Sequence, residues 1–247
     1  MMRKIITILF VSLVLISNAA PEEQAPKTKK FFIKIGYNAG FAEETKSVSW
    51  SKEIYFENAS YNISNEFRKG NSVNFGLGFK FSKSIGVELG ANISSRDTNT
   101  DYNVAAPHPL LFNAMRNGQG SRSFNLTENV VFLNFLVTIP FSKFSLDFFG
   151  GPAYFFSSVE VISDIQYSDS YPYDTINLNA TSKKIENNVF GFNGGASFNF
   201  YFVKNFGIFL NTYYLSASAD FEPGGDIPGW KLSLGGFKAG GGLKIIF

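Results

Sequence analysis

Apolar residues alternate with small or polar ones at every second position along about eight segments of this chain, which restricts it to β-strands with two unlike faces. Residues 31 to 41 set Ile33, Ile35, Tyr37, Ala39 and Phe41 against Phe32, Lys34, Gly36, Asn38 and Gly40. Val73, Phe75, Leu77, Phe79 and Phe81 oppose Ser72, Asn74, Gly76, Gly78 and Lys80, and Val87, Leu89, Ala91 and Ile93 oppose Gly86, Glu88, Gly90, Asn92 and Ser94. The pattern continues through 128–139, where the contrast is weaker, and through 144–156 and 189–202. It returns cleanly in 236–247, where Phe237, Ala239, Leu243, Ile245 and Phe247 face away from Gly236, Lys238, Gly240, Gly242 and Lys244. In 206–215 the parity is ambiguous, because Ile208, Leu210 and Tyr214 compete with Phe209 and Tyr213. Helix periodicity is essentially absent.

Which face is the interior decides what such strands build. A soluble sandwich or barrel hides its apolar face and solvates a charged one, whereas a membrane barrel turns the apolar face to lipid. Here the polar parity is mostly Gly, Ser and Asn with few charges, which suits the crowded inside of a narrow closed barrel. The chain holds 29 phenylalanines, concentrated on the apolar parity as a lipid-facing band requires. The expected fold is therefore all-β: a transmembrane antiparallel up-and-down β-barrel of eight strands, with ten the other count compatible with the pattern.

The N-terminus fits a secreted origin. Arg3 and Lys4 precede an apolar run from Ile5 to Ile16 and a small-residue end at Ser17-Asn18-Ala19-Ala20, the layout of a signal peptide too short to span a bilayer as a helix. Cleavage after Ala19 predicts a leader over 1–19, a flexible lead-in over 20–30 and a barrel over 31–247. Lys plus Arg number 22 and Asp plus Glu 20, so loss of Arg3 and Lys4 leaves equal numbers of each sign and no electrostatic reason to bind nucleic acid. With no cysteine and one histidine, disulfides, thiolate sites, lipoprotein anchoring and multi-histidine metal centres are excluded; no cofactor is expected.

Connections alternate in length. Three are tight, at about Ser82–Ile85, Pro140–Lys143 and Val203–Asn205, and four are long, at 42–71, 95–127, 157–188 and 216–235. Short periplasmic turns and long extracellular loops are the membrane-barrel arrangement, with both termini periplasmic. Each tight turn carries Phe-x-Lys, at Phe81-Ser82-Lys83, Phe141-Ser142-Lys143 and Phe202-Val203-Lys204. The repeating unit is a hairpin plus one long loop, and an aromatic followed by a solvated lysine is an interfacial pattern. The long segments contain Pro107-His108-Pro109, Tyr171-Pro172-Tyr173 and Glu222 to Pro228, which break regular structure. The acidic 157–188 and 216–235 segments have no calcium-loop spacing and read as solvated.

The chain ends at Phe247 behind Phe237, Ala239, Leu243 and Ile245. This resembles the C-terminal strand signature of bacterial outer-membrane β-barrels, in which a terminal aromatic on an amphipathic strand is recognised by the barrel-assembly machinery. Over residues 31–247 the layout resembles small barrels of the OmpA-transmembrane, OmpX and opacity-protein kind. The resemblance implies a Gram-negative outer membrane and contact with its lipid. No peptidoglycan-binding domain is expected after the barrel, so the resemblance does not imply a cell-wall tether.

Eight strands enclose a bore just wide enough for side chains, so solute diffusion is not expected. The inward parity carries Lys34, Lys80, Glu88, Glu128, Asp147, Lys238 and Lys244. Buried charges have to pair, which predicts a charge network closing the lower lumen; a proton or ion pathway is the functional reading of the same residues. Barrel hydrolases and lipid A-modifying enzymes need an oriented base, and only His108, between two prolines in a long loop, is available. The expected role is non-enzymatic: a structural barrel whose loops bind an extracellular protein or glycan, with aromatic candidates at Trp50, Tyr55, Phe56, Tyr61, Tyr167, Tyr171 and Tyr173. The alternatives are an accessory subunit of an envelope export or assembly system, and a lipid A-modifying barrel that uses His108.

Overall fold

The computed structural model describes residues 30–247. The expected signal peptide and all of the expected lead-in except Lys30 lie outside the described residues. Nine strands follow in chain order: β1 (Phe31–Gly40), β2 (Glu44–Ile54), β3 (Glu57–Lys80), β4 (Ile85–Pro107), β5 (Met115–Phe141), β6 (Phe144–Asp169), β7 (Ile176–Val203), β8 (Phe206–Phe221) and β9 (Trp230–Ile246). Every sequential pair from β3 to β9 is antiparallel, β1 pairs with β9 through Phe32↔Ile246 to Gly40↔Lys238, and β1 also pairs with β3 through Phe31↔Phe79 to Ala39↔Asn71. β2 resumes the ladder on β3 where β1 leaves it, from Glu44↔Phe67 to Ile54↔Glu57. β1 and β2 are thus two pieces of one wall position, and the ring is an eight-stranded closed barrel.

The three tight turns, the start of β1 and the end of β9 share one end of the barrel. There the Lys80 amide donates to the Lys30 carbonyl, and the Ile246 amide to that of Asn205. At the opposite end the structure departs from the sequence reading. The segments expected as long loops, 42–71, 95–127, 157–188 and 216–235, are mostly strand, and the true connections shrink to 41–43, 55–56, 108–114, 170–175 and 222–229. Hydrophilic side chains on the outward parity disguise these stretches as loops, but the ladder continues: β4 and β5 stay in register without interruption from Ile85↔Val137 to Pro107↔Met115.

Two zones result. Around the lower zone the outward positions are apolar: Ile33, Ile35, Phe75, Leu77, Leu89, Ile93, Leu133, Phe135, Phe148, Phe192, Leu210 and Leu243 are all exposed. On β4 this belt runs from Ile85 to Ile93, nine residues, the length that crosses hydrocarbon at a barrel tilt. Above it the outward positions become Ser95, Asp97, Asn99 and Asp101 on β4 and Ser123 and Asn125 on β5. The inside changes in the opposite sense. Phe67, Leu126, Val130, Phe155, Val159, Leu215, Phe221, Leu232 and Leu234 form a buried apolar core, and Ala59, Tyr61, Ile63, Tyr102, Val104, Ile162 and Ile165 form another beyond it. The upper half is built like a water-soluble barrel standing on a lipid-facing one. β4 continues fourteen residues past Ile93, which at the usual rise and tilt lifts its end roughly 35 Å above the belt.

The ambiguous segment resolves simply. Phe209 and Tyr213 of β8 are buried inside, and Ile208, Leu210 and Tyr214 are exposed. Glycine makes the space for such rings. A Cβ on Gly78 would lie 1.9 Å from the Phe32 ring, and one on Gly90 would lie 2.3 Å from Phe132. The small parity therefore accommodates inward aromatics as well as lysine stems.

Candidate functional site

Inside the belt, the inward side chains form three polar tiers. At the turn end, Lys34 Nζ lies 2.7 Å from Glu88 Oε2, and Lys244 Nζ lies 2.8 Å from Asp147 Oδ2. Lys244 also donates to Asn199 Oδ1 at 3.1 Å, and Asn199 Nδ2 donates to Asp147 Oδ2 at 3.0 Å. Aromatic faces complete this tier. The Lys34 ammonium stands 5.1 Å from the centre of Phe32 and 5.8 Å from that of Phe209, and Lys244 stands 4.7 Å from Phe32, distances at which ring quadrupoles stabilise a desolvated cation. In the middle tier, Lys238 Nζ donates to Asn92 Oδ1 at 2.8 Å, and Asn92 Nδ2 donates to the Tyr213 hydroxyl at 2.9 Å. In the upper tier, Arg96 Nη2 reaches Glu128 Oε1 at 2.5 Å, and the Gly235 amide donates to the same oxygen at 3.0 Å.

Six of the seven charges named from sequence are thus bonded within these tiers: Lys34, Glu88, Glu128, Asp147, Lys238 and Lys244. Lys80 differs. It is half-buried at the turn-end rim and joins no ion pair among the described residues. The network is also not confined to the lower lumen, since the Glu128 tier lies at the upper edge of the belt. Sequence reasoning missed Arg96, the partner of Glu128, together with Asn92, Asn199 and Tyr213. Arg96 continues the even inward parity of Glu88, Asn92 and Ser94, and that phase is the signal that would have found it. A cavity of about 20 Å³ beside Lys34, Glu88, Phe132 and Phe209 has room for about one water.

The C-terminal pattern lies on the barrel exterior. Phe237, Leu243 and Phe247 are exposed, Ala239 and Ile245 are half-buried, and the Phe247 amide donates to the Phe31 carbonyl.

A second candidate site caps the far end. The β2–β3 hairpin turns through Tyr55 and Phe56, both at positive φ, and Phe56 is 94% exposed. Loop 108–114 presents Leu110, Leu111 and Phe112, all exposed, and loop 170–175 presents Tyr171 at 84% exposure. These tips are tied together. The Asn113 amide donates to Glu57 Oε1 at 2.9 Å, joining loop 108–114 to the hairpin. Arg116 donates to Asp169 Oδ1 at 2.7 Å and to the Tyr173 carbonyl at 3.3 Å, joining its base to loop 170–175. Tyr173 packs edge-on against Tyr171 and His108. His108 holds its own loop: Nδ1 accepts the amides of Leu110 and Leu111, each at 3.1 Å, and its own amide donates to the Ala114 carbonyl.

Of the aromatics expected to make contacts, Tyr55, Phe56 and Tyr171 reach this surface. Trp50 and Tyr61 instead stack on each other at 5.1 Å in the tower wall, and Tyr61 is buried. Tyr167 packs against the tower core, where burial pushes its phenol up to about 12. Around the tip the exposed charges are mainly acidic, at Glu53 and Asp174. Lys52 is held by Asp226 at 2.9 Å, and that hydrogen bond and charge raise its pKa.

No family model and no curated protein matches the sequence. Among solved structures, OmpT, the outer membrane protease of Escherichia coli, is similar at 9% identity and a TM-score of 0.41 over 92% of this chain and 99% of that one. Ail of Yersinia pestis is similar at 13% identity and a TM-score of 0.40 over 88% and 99%. The outer membrane protein OprG of Pseudomonas aeruginosa is similar at 12% identity and a TM-score of 0.49 over 92% and 99%. The structures this chain resembles are thus outer-membrane β-barrel proteins, and the closed eight-stranded ring itself is read from the strand ladders of this chain.

Proposed function

We propose that this chain is a non-enzymatic integral barrel of a bacterial outer membrane, turns towards the periplasm, whose rigid outer tower presents an apolar tip to an extracellular protein partner. The observation that carries this reading is the joined cluster of Tyr55, Phe56, Leu110, Leu111, Phe112 and Tyr171, all exposed and Phe56 almost fully so. Contiguous exposed apolar surface of this kind marks interaction sites, and aromatic anchors on a braced scaffold bind without much ordering cost. The tip stands too far above the belt to touch its own bilayer. Copies in one membrane stand side by side, so their tips do not meet face to face. Glu53, Glu57 and Asp174 around the cluster favour a partner segment that combines apolar side chains with lysine or arginine.

His108 supports the non-enzymatic reading over lipid A chemistry. Its Nδ1 is occupied by two amides of its own loop, and the ring lies at the tip rather than at the belt where acyl chains are.

Binding of fluorescent model peptides to the protein in discs of zwitterionic lipid tests the proposal, with empty discs subtracted. Alternating Leu and Lys should bind more tightly than alternating Leu and Glu or Ser and Lys. The double variant Leu110→Ser, Phe112→Ser should weaken the Leu and Lys peptide at least about tenfold, by the weight that buried anchors carry. Equal binding by the variant, or equal binding of the Ser and Lys peptide, would overturn it.

A further inference from the structure

The outer wall of the tower is not smooth. A groove of about 540 Å³ crosses it just above the belt, walled by Arg68 of β3, Asp97 and Asn99 of β4, Ser123 and Asn125 of β5, and Glu160 of β6. That volume is within the range of small-molecule sites. Phe124 is the one apolar side chain that lines it. Phe124 continues the inward parity of Leu126 and Glu128, yet the β5–β6 ladder stops at Leu126↔Val159, whereas β5 goes on to Met115 paired with β4 alone. Through this parting, a half-buried ring that packs on the tower core also lines the outer surface.

Cross-strand hydrogen bonds set the polar walls in advance. Ser123 Oγ donates to Asn99 Oδ1 at 3.2 Å, Ser95 Oγ donates to Asn125 Oδ1 at 2.6 Å, and the Ser182 hydroxyl donates to Glu160. Both amide oxygens are thereby engaged, which leaves the Nδ2 groups of Asn99 and Asn125 as donors. Asp97 joins no ion pair or side-chain hydrogen bond among the described residues. Arg68 is loosely paired, with its Nε 3.5 Å from Glu66 Oε1. The groove therefore offers planar donors and acceptors side by side, with one positive and two negative groups.

We propose that this groove holds glucose-like pyranose residues in the headgroup of an uncharged glycolipid of the outer leaflet. A carboxylate accepts from two neighbouring equatorial hydroxyls, amide groups donate to ring substituents, and the flat C–H face of an all-equatorial sugar covers an aromatic ring. Asp97, Asn99, Asn125 and Phe124 supply those groups. An anionic saccharide would meet Asp97 and Glu160 with Arg68 alone to offset them. An extended peptide would add to the free edge of β5, whereas the groove crosses the outward face of several strands. Asp97 stands four residues beyond Ile93, which at the usual rise and tilt sets it roughly 10 Å above the belt, the level of sugars carried on lipid. The inference rests on the transmembrane fold and is independent of what the outer tip binds.

Saturation-transfer NMR of free cellotetraose with the full-length protein in phosphatidylcholine discs is the test, with empty discs subtracted. The sugar should bind with a Kd on the order of 1 mM. Asp97→Ala with Asn99→Ala should weaken it at least about fivefold, by the hydrogen bonds removed, while keeping heat-modifiable gel migration. Asp101→Ala with Asn103→Ala, exposed on the same face of β4 farther from the belt, should bind as the native protein does. Discs that also carry a cellotetraosyl lipid should weaken the free sugar to a similar degree, because a headgroup held in the same bilayer occupies the groove at high local concentration. No binding by the native protein, no loss in the Asp97 and Asn99 variant, or an equal loss in the control would overturn the inference. Equal binding of sulfated cellotetraose would overturn it as well, since the groove would then not select uncharged sugar. Failure of the lipid-linked sugar to compete would also overturn it, and would leave the groove to a soluble glycan.

Discussion

Asp147 and Lys244 show how much rests on single side chains within the lumen. Both are fully buried, so the pair is stable only because each desolvated charge faces the other with Asn199 as a shared partner. Asp147→Asn leaves Lys244 without its counter-charge and should destabilise the barrel by about 3–5 kcal/mol. Urea unfolding in detergent micelles, followed by tryptophan fluorescence and gel shift, reads this directly. Replacing both partners, as Asp147→Leu with Lys244→Met, should recover most of the loss, because the penalty belongs to the orphaned charge and not to the absence of the pair; equal damage in the double variant would show that the cost is steric. At this scale the sequence was informative where parity was clean. Asp147 and Lys244 fall on alternating runs, and period two alone puts them inside. Arg96 was hidden because hydrophilic Ser95, Asp97 and Asn99 made its strand look like loop, although its phase matched Glu88. Phe209 and Tyr213 were undecided because the greasy side chains on both faces of β8 carry no contrast.

Among the elements, β3 shows most plainly how two faces exchange roles. Below, Ser72, Asn74, Gly76 and Gly78 point inward; above, Ala59, Tyr61, Ile63 and Phe67 do. The exchange occurs at a bulge between Phe67 and Gly70, where Arg68 and Lys69 together oppose a single residue of β4. One extra residue reverses every later side chain. β4 needs no bulge, since its inward residues change from Ser94, Arg96 and Thr98 to Tyr102, Val104 and Ala106 at constant phase. Deletion of Lys69 should therefore turn Phe67, Ile63 and Tyr61 towards water and loosen the tower, while the belt below keeps its register. Limited proteolysis should then cut within 44–67 and 98–125 at rates at which the native protein is intact, leaving a membrane-protected core. Uniform resistance would show that the tower tolerates the slip. A milder probe is Gly70→Val, whose Cβ would meet the Ser95 carbonyl at 2.4 Å. On β3 the bulge adds to the disguise of hydrophilic outward residues: a pattern followed by phase breaks at Arg68-Lys69-Gly70, and a broken phase between polar residues reads as a loop.

For the molecule as a whole, the barrel is closed by several obstacles in series. Ring closure was legible from the repeat of hairpins, with eight strands favoured and ten still compatible, because each greasy run has to cross one bilayer and the turns bring neighbours together. The second, apolar obstruction was not, because it belongs to the part of the chain taken for loops. From the turn end upward, a path would meet Lys34, Glu88, Asp147 and Lys244 among Phe32 and Phe209, then Lys238, Asn92 and Tyr213, then Arg96 and Glu128, and finally the apolar core of Phe67, Leu126, Phe221, Leu234 and Trp230. Water and ions pass only if every level opens at once. The native protein should therefore add no stepwise conductance to a planar bilayer. Phe132→Ala with Phe209→Ala should widen the lowest level around the cavity beside Lys34 and still leave the membrane insulating, because the upper plug excludes water by its apolarity and not by charge. Adding Phe67→Ser and Leu234→Ser should produce discrete ion-carrying openings in the fraction that still folds. Conductance from the native protein, or from the lower double variant alone, would show that the tiers move as a gate and that the lumen is a pathway rather than a filled core.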